Sequence, residues 1–187
     1  MGVVQDDDAA LVAQALAGRQ AAFSALLARH RDPVFRLARH HTGNDSEALD
    51  VTQECFVSAF ANLARYDPAR PLRAWLLRIA LNKCRDWWRK RAVRRLFAFA
   101  RPLEEAAEVA DLAPDPEQAL SAARETARIR RALAALPAQL KEPLILCAIE
   151  GLAQGEAALM LGISRKAVET RIYRARQKLS ETLEGRG

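Results

Sequence analysis

Apolar residues recur three and four positions apart along most of the chain, and no segment alternates apolar and polar residues over the length of a strand. The helix-forming residues Ala, Leu, Arg and Glu are prominent throughout. The pattern therefore predicts an all-α protein. The predicted helices span residues 8–17, 21–41, 46–63, 72–95, 117–136, 154–161 and 165–183, and one more ends at Gly151.

Two of the predicted helices carry apolar stripes that we expect to be buried. The stripe of the second helix, in which Pro33 marks a possible bend, consists of Phe23, Leu26, Leu27, Val34, Leu37 and Ala38. The stripe of the third consists of Leu49, Phe56, Phe60 and Leu63. The residues between these helices, Thr-Gly-Asn-Asp at 42–45, are typical of a turn.

Charge is arranged in blocks along the 187 residues, whose formal net charge is +6. Residues 1–65 carry −2, residues 66–101 carry +9, residues 102–121 carry −6 and residues 122–187 carry +5. The acidic block also holds three prolines, which disfavour helix. This division predicts two small helical domains, 1–97 and 117–187, joined by a flexible acidic linker at 98–116 that is poorly ordered in the free protein.

The clearest motif lies in the second domain, where Gly162-Ile163-Ser164 separates a short helix from a longer basic one. This arrangement is typical of a helix-turn-helix, in which the second helix enters the major groove of DNA. Gly162 allows a tight turn and Ser164 can cap the following helix. The predicted reading face consists of Arg165, Lys166, Glu169, Thr170, Tyr173, Arg174 and Gln177. An amphipathic helix with a solvated charged face is the simpler alternative.

A second block, residues 66–95, interleaves cations with tryptophans. The cations that lie among its tryptophans are Arg73, Arg78, Lys83, Arg85, Arg89, Lys90, Arg91, Arg94 and Arg95. Cations hold phosphates and aromatic faces stack on unpaired bases, so the block indicates single-stranded nucleic acid. Tryptophans at helical spacing are often core residues instead. We favour the core for Trp75 and leave both interpretations open for Trp87 and Trp88.

A third block, in the predicted helix 46–63, places four residues at i, i+3, i+4 and i+7 on one face. They are Asp50, Gln53, Glu54 and Val57. Such a mixed face suits the docking of a partner helix, although the spacing alone favours a solvated face.

Several classes of protein are excluded by what the sequence lacks. The longest apolar run has six residues, 144–149, far short of a membrane span, and the acidic N-terminus is unlike a secretory signal. The widely spaced Cys55, Cys84 and Cys147 predict no disulfide and favour a cytoplasmic protein. We find no catalytic motif and no cofactor motif, and expect no metal site: the three histidines are interpreted as surface residues.

Taken together, the blocks resemble a bacterial RNA polymerase sigma factor of the extracytoplasmic-function (ECF) group. The resemblance runs from about Ala21 to Leu179, apart from the linker. It rests on DVTQECFVSAF, PLRAWLLRIALN and LPAQLKEPLILCAIEGLAQGEAALMLGISRKAVETRIYRARQKL, in this order. Leu72 departs from a frequent Phe and Ala153 from a frequent Ser or Thr.

The resemblance implies a role for each block. The first domain would bind core RNA polymerase, at the clamp helices of its largest subunit, through Asp50, Gln53, Glu54 and Val57. It would also melt the minus-10 promoter element and read its single-stranded non-template strand through Tyr66, Arg73, Arg78, Asn82, Lys83, Trp87, Arg89 and Lys90. A base flipped from that strand would sit at the loop 66–71, beside Arg78 and Asn82.

By the same resemblance, the second domain would read the minus-35 element as duplex through Arg165, Lys166, Glu169, Thr170, Arg171, Tyr173 and Arg174. The linker would thread toward the active-site cleft and the RNA exit path of the polymerase. Members of the family are often held inactive by an anti-sigma protein, which is an expected partner here.

Two alternatives come from other classes of protein. A helix-turn-helix regulator would bind duplex DNA without polymerase, and the face of Asp50, Gln53 and Glu54 together with the Trp-rich basic helix argues against it. An enzyme acting on nucleic acid is a more distant third.

Overall fold

The computed structural model describes residues 3–98 and 117–184, with side chains described for 7–94 and 124–184. A first helical region consists of α1 (Val3–Leu16), α2 (Gln20–Thr42), α3 (Asp45–Ala61), a 3₁₀ turn (Leu63–Arg65) and α4 (Leu72–Ala98). A second consists of α5 (Glu117–Ala135), α6 (Ala138–Leu144), a π-helical turn (Ile145–Ile149), α7 (Gln154–Leu161) and α8 (Arg165–Glu184). No strand occurs in the described ranges, so the all-α prediction is confirmed. The predicted linker at 98–116 lies almost entirely outside the described residues, and the prediction that it is poorly ordered concerns those same residues.

The first region is a bundle in which α2, α3 and α4 pack against one another and α1 packs on α2. Its core includes Leu26, Leu37, Phe56, Leu77 and Leu81. Pro33 is accommodated within the continuous helix α2. The helix ends at Gly43, whose φ of 76° is a left-handed conformation that glycine adopts without strain.

Two leucines of the predicted stripes are not buried: Leu49 is 39% exposed and Leu27 is 38% exposed. The buried face of α3 is instead built largely from small residues, and it includes Ala48, Val51, Thr52, Cys55 and Ala59. Small side chains let helices approach closely, so this face points inward and Leu49, one position away, is rotated to the surface. A stripe chosen by its largest side chains misses this arrangement.

The prediction of surface histidines is wrong for two of the three. His30 is buried and its Nε2 lies 2.9 Å from a carboxylate oxygen of the equally buried Asp8, which joins α1 to α2. Arg29 donates to the other oxygen of Asp8 at 2.7 Å. His41 is buried at the end of α2 by residues of the second region. The sequence offered no sign of these partners because they come from other helices.

The two regions contact each other along a polar boundary that we call the seam. On the first region it consists of Arg36, His41, Arg73, Arg85 and Trp88; on the second it consists of Ala134, Lys141, Glu142 and Glu150. The backbones approach closely at one end, where a Cβ added to Gly43 would lie 2.9 Å from the Cβ of Ala134.

Burial in the seam has a consequence for stability at mild acid pH. Desolvation, followed by the charges of Lys141, Arg85 and His40, lowers the pKa of His41 well below its ordinary value. Below pH 6.5 the unfolded histidine binds a proton that the folded one does not, so stability falls as pH falls. We expect a loss of about 1.4 kcal/mol between pH 7.5 and 5.5 from this one group.

Urea unfolding of the wild type and of His41→Gln at several pH values measures the effect. The variant is expected to be less stable at neutral pH but to have a shallower dependence on pH. Burial also lowers the pKa of His40, so a smaller dependence of the same sign remains. Identical pH slopes in both chains would contradict the assignment to His41.

Candidate nucleic-acid and partner-binding surfaces

The helix-turn-helix prediction is confirmed in the second region. Helix α7 ends at Gly162, which has a φ of 69°, and the N–H of Ile163 donates to the carbonyl of Ala158 at 3.1 Å. Ser164 then caps α8, because its Oγ accepts the N–H of Ala167 at 3.1 Å. Val168 and Ile172 are buried below this turn. These contacts set the orientation of α8 relative to α7.

The start of α7 is secured despite Ala153, which has no side-chain acceptor. The carboxylate of Glu156, three residues later, accepts the N–H of Ala153 at 2.8 Å. This is one half of a capping box, and it satisfies a backbone donor that the helix leaves free.

The outer face of α8 presents most of the predicted reading residues to solvent. Lys166 donates to Glu169 at 3.1 Å, and the amide of Gln177 donates to the hydroxyl of Tyr173 at 3.0 Å. Arg174 is exposed. Thr170 and Arg171 are half-buried. A row of exposed donors and acceptors on a capped helix can contact base edges and phosphates.

The tryptophans of α4 divide between two environments. Trp75 packs against the core and contacts Tyr66 in a tilted arrangement, with ring centroids 5.5 Å apart, so the core prediction holds for it. Trp87 also packs against the core and lies under the guanidinium of Arg91. Trp88 belongs to the seam: its Nε1 donates to the carbonyl of His41 at 3.2 Å.

The residues predicted for the minus-10 element are spread along α4 and the loop before it. Tyr66 is largely buried and its hydroxyl donates to the carbonyl of Arg70. Arg78, Asn82, Arg89 and Lys90 are exposed, while Arg73, Lys83 and Trp87 are half-buried. The guanidinium of Arg73 is paired with the carboxylate of Glu150.

A groove of about 400 Å³ lies where this loop meets the second region. Its walls combine apolar surface with cations, and Leu159, which is 84% exposed, projects from α7 beside it. The lining residues are Arg70, Pro71, Ala74, Trp75, Arg78, Glu156, Leu159 and Met160. An aromatic floor flanked by arginines is a chemically suitable place for an unstacked base.

The predicted docking face of α3 is on the surface. Asp50, Gln53, Glu54 and Val57 are all exposed, and they line one shallow groove of about 740 Å³ between α3 and α4. Val57 is 71% exposed. Glu54 lies 4.0 Å from both Lys83 and Lys90 of α4. An exposed groove that mixes one apolar side chain with polar ones can accommodate a partner protein.

Sequence reasoning did not single out Arg36, Glu142 or Glu150, and it gave Arg85 no specific role. The structure brings all four into the seam. One signal was available in the sequence, because Glu142 and Glu150 directly flank the apolar segment 143–149. Acidic residues bordering a buried segment need a cationic partner.

These features define a helical DNA-binding protein with a helix-turn-helix, a separate basic helix and a polar docking face. Family models agree with this class: sigma-70 region 2 matches residues 26–112 and sigma-70 region 4 matches residues 126–179. The described helices include none that is long and apolar enough to cross a membrane.

Curated relatives extend the match over nearly the whole chain. RNA polymerase sigma factor CnrH of Cupriavidus metallidurans is 45% identical over 183 residues, covering 96% of each chain. NccH of Alcaligenes xylosoxydans is 39% identical over 177 residues, covering 95% of each. ECF sigma factor SigM of Mycobacterium tuberculosis is 34% identical, over 94% of this chain and 84% of its own length.

Solved structures agree. CnrH in complex with the cytosolic domain of CnrY is similar with a TM-score of 0.69 at 39% identity, covering 96% of this chain and 99% of that one. The chain belongs to the sigma factors of bacterial RNA polymerase, in the ECF group. It is a transcription initiation factor that directs the polymerase to promoters.

Proposed function

We propose that three separate surfaces divide this work. The face of Asp50, Gln53, Glu54 and Val57 binds core polymerase, α4 and the preceding loop melt and read the minus-10 element, and α8 reads the minus-35 element as duplex. The observation that carries the proposal is the capped helix-turn-helix, which leaves the outer face of α8 open to solvent. We also propose domains at 1–97 and 117–187 joined by a linker at 98–116; the two family matches fall on different helical regions, and the first of them, 26–112, extends into this linker.

The first-region wall of the groove beside the loop 66–71 is the proposed site for the flipped base. Trp75 offers an aromatic surface and Arg78 a cation, and Asn82 lies one helical turn beyond Arg78 on α4. An Asn side chain carries both a donor and an acceptor, which suits the edge of a base. Its Oδ1 lies at the limit of hydrogen-bond distance from Arg85, 3.5 Å, so little energy holds it in place.

Asn82→Ala is therefore expected to reduce open-complex formation about tenfold while leaving minus-35 binding unchanged. Permanganate footprinting of melted thymines and a duplex-binding assay measure the two effects on one promoter. Gln14→Ala, which removes an exposed amide from α1, is the matched control. An equal loss of melting and duplex binding would refute the assignment.

The protein contributes selection of the start site, and bond formation belongs to the polymerase. Because its partners are the polymerase and the chromosome, it acts in the cytoplasm. The solved relative CnrH is bound to the cytosolic domain of CnrY. By that similarity an anti-sigma protein is the expected regulator of this chain.

The direct test is in vitro transcription with core polymerase on fragments of the source genome, read by the start sites of the transcripts. The proposal requires new starts that share a minus-10 and a minus-35 element. A duplex-only regulator would bind DNA but would neither copurify with core polymerase nor create starts.

A further inference from the structure

The seam contains two carboxylates of the second region that are enclosed by arginines of the first. The side chain of Glu150 is 0% exposed and accepts from Arg73 at 2.7 Å and from Arg36 at 3.2 Å. Arg73 also donates to the backbone carbonyl of Glu150 at 2.9 Å. Glu142 accepts two parallel hydrogen bonds from Arg85, at 2.7 and 2.6 Å.

This geometry is the one that arginine uses for phosphate. A guanidinium recognises a carboxylate and a phosphate alike, through paired N–H donors on two oxygens. The three arginines remain between a third and a half exposed, so their outer sides are accessible while the glutamates are not. Arg73 and Arg85 are separated by twelve residues of α4, about 18 Å along its axis.

The same seam overlaps part of the surface proposed for the minus-10 element. Arg73 is paired with Glu150, Asn82 lies next to the Arg85–Glu142 pair, and Arg78 shares its groove with Leu159 of α7. A strand of DNA along α4 would need the second region to move away. The closed arrangement and DNA bound along α4 therefore exclude one another.

The rest of the seam contains a buried charge. Lys141 is buried with its ammonium over the ring of Trp88 and donates to the carbonyls of His41 and Ala134, at 3.1 and 2.7 Å. Burial lowers the pKa of Lys141 to about 8, because removal of the ammonium from water disfavours its charged form. Ion pairs and a buried cation are features that this boundary shares with the more polar interfaces between domains, although buried apolar residues of both regions also form one continuous cluster.

We propose that Glu142 and Glu150 act as internal substitutes for DNA phosphates, holding the second region closed over Arg36, Arg73 and Arg85 until a promoter strand displaces them. The partner of this arginine surface is the phosphate backbone of the melted strand. The proposal deepens the function proposed above and rests on it. It adds Arg36 to the DNA-binding residues, gives Arg85 a defined role, and makes Glu142 and Glu150 regulatory.

The test uses the full chain with Glu142→Gln and Glu150→Gln, which keep the side-chain shape and remove both charges. The control, Glu125→Gln with Glu181→Gln, changes the net charge equally at exposed positions away from the seam. Dyes at Ser24→Cys and Ser180→Cys, with Cys147→Ser, report the separation of the regions by energy transfer. Affinity is measured for a labelled single strand of twelve thymidines, and circular dichroism checks folding.

We expect the seam variant to lose energy transfer and to bind the oligonucleotide about tenfold more tightly than the control. A tenfold gain is what results when an open state with a population of about one-tenth becomes the dominant state. Adding Arg36→Gln and Arg85→Gln should remove that gain. In the wild type, the oligonucleotide itself should lower energy transfer. A seam variant that stays closed, or that opens without binding more tightly than the control, overturns the proposal.

A charge exchange gives an independent arm. Glu142→Arg with Arg85→Glu is expected to keep the regions closer than Glu142→Arg alone, without restoring affinity for the oligonucleotide. Neither assay uses polymerase, so failure of this inference can be told apart from failure of the proposed function. If promoter-directed initiation is normal but the glutamate substitutions have no effect, only this inference is refuted. Failure of initiation with core polymerase defeats the proposed function.

Discussion

A chain carrying Asp50→Lys and Val57→Asp is expected to lose affinity for core polymerase by about a hundredfold or more while remaining folded. Both side chains are exposed and line the groove between α3 and α4, on the side of α3 opposite the buried Cys55 and Ala59. Docking would bury a reversed charge at one position and an unpaired carboxylate at the other. Neither charged side chain would remain hydrated in the interface, and each buried charge without a partner lowers the affinity.

The measurement is the affinity of the labelled factor for core polymerase, with thermal unfolding as the check on folding. Glu181→Lys with Leu16→Asp is the matched control, because it makes the same two types of exposed substitution elsewhere. Glu54 is a poorer first target, since its carboxylate lies 4.0 Å from Lys83 and Lys90 and its loss would also change the charge of the surface proposed for the minus-10 element. A folded double variant that binds polymerase as the control does would remove this face from the polymerase interface.

The second large effect is expected in α8. Arg174→Ala should cost ~1–3 kcal/mol of minus-35 binding and relax the preference at one base pair. The side chain is exposed near the middle of the recognition helix, and its fork can pair with the two acceptors of guanine. Selection of binding sites from a random library by the holoenzyme measures both the affinity and the preference.

Lys166→Ala is the contrasting variant. A phosphate contact carries no base preference, so this change should weaken binding to all sequences and reduce the salt slope by about one. If the Arg174→Ala library converges on the same sequence with the same stringency as the wild type, Arg174 does not read bases.

The structure also sharpens the role of Glu169. Its carboxylate accepts from Lys166 at 3.1 Å in the free protein. If Glu169 reads cytosine, Glu169→Ala relaxes the preference at one position; if it only restrains Lys166, the same change strengthens binding to every sequence. The library from the Arg174 experiment distinguishes these results.

Local features were predictable to within a few residues. The bounds of α7 agree with the prediction, and Gly162 and Ser164 do what glycine and serine do at a turn and a cap. The exposed face of Asp50, Gln53, Glu54 and Val57 also followed from helical spacing. Each of these depends on neighbours within one or two helical turns, which the sequence displays directly.

Burial was less predictable where it depends on other helices. Leu49 was expected inside and lies outside because the close packing of α3 uses Ala48 and Cys55. His30 and His41 were expected outside and lie inside, since Asp8 and the second region cover them. Side-chain type alone does not determine which face of a helix is enclosed.

By itself, the sequence determined that this protein is helical, that its cations gather in two blocks, and that a helix-turn-helix closes the described chain, because periodicity, capping and turns act over a few residues. Only the tertiary structure decided which charges face each other. Arg85 meets Glu142 across 57 positions and Arg36 meets Glu150 across 114. Pairing over such distances depends on how the helices pack, and packing is a property of the whole fold.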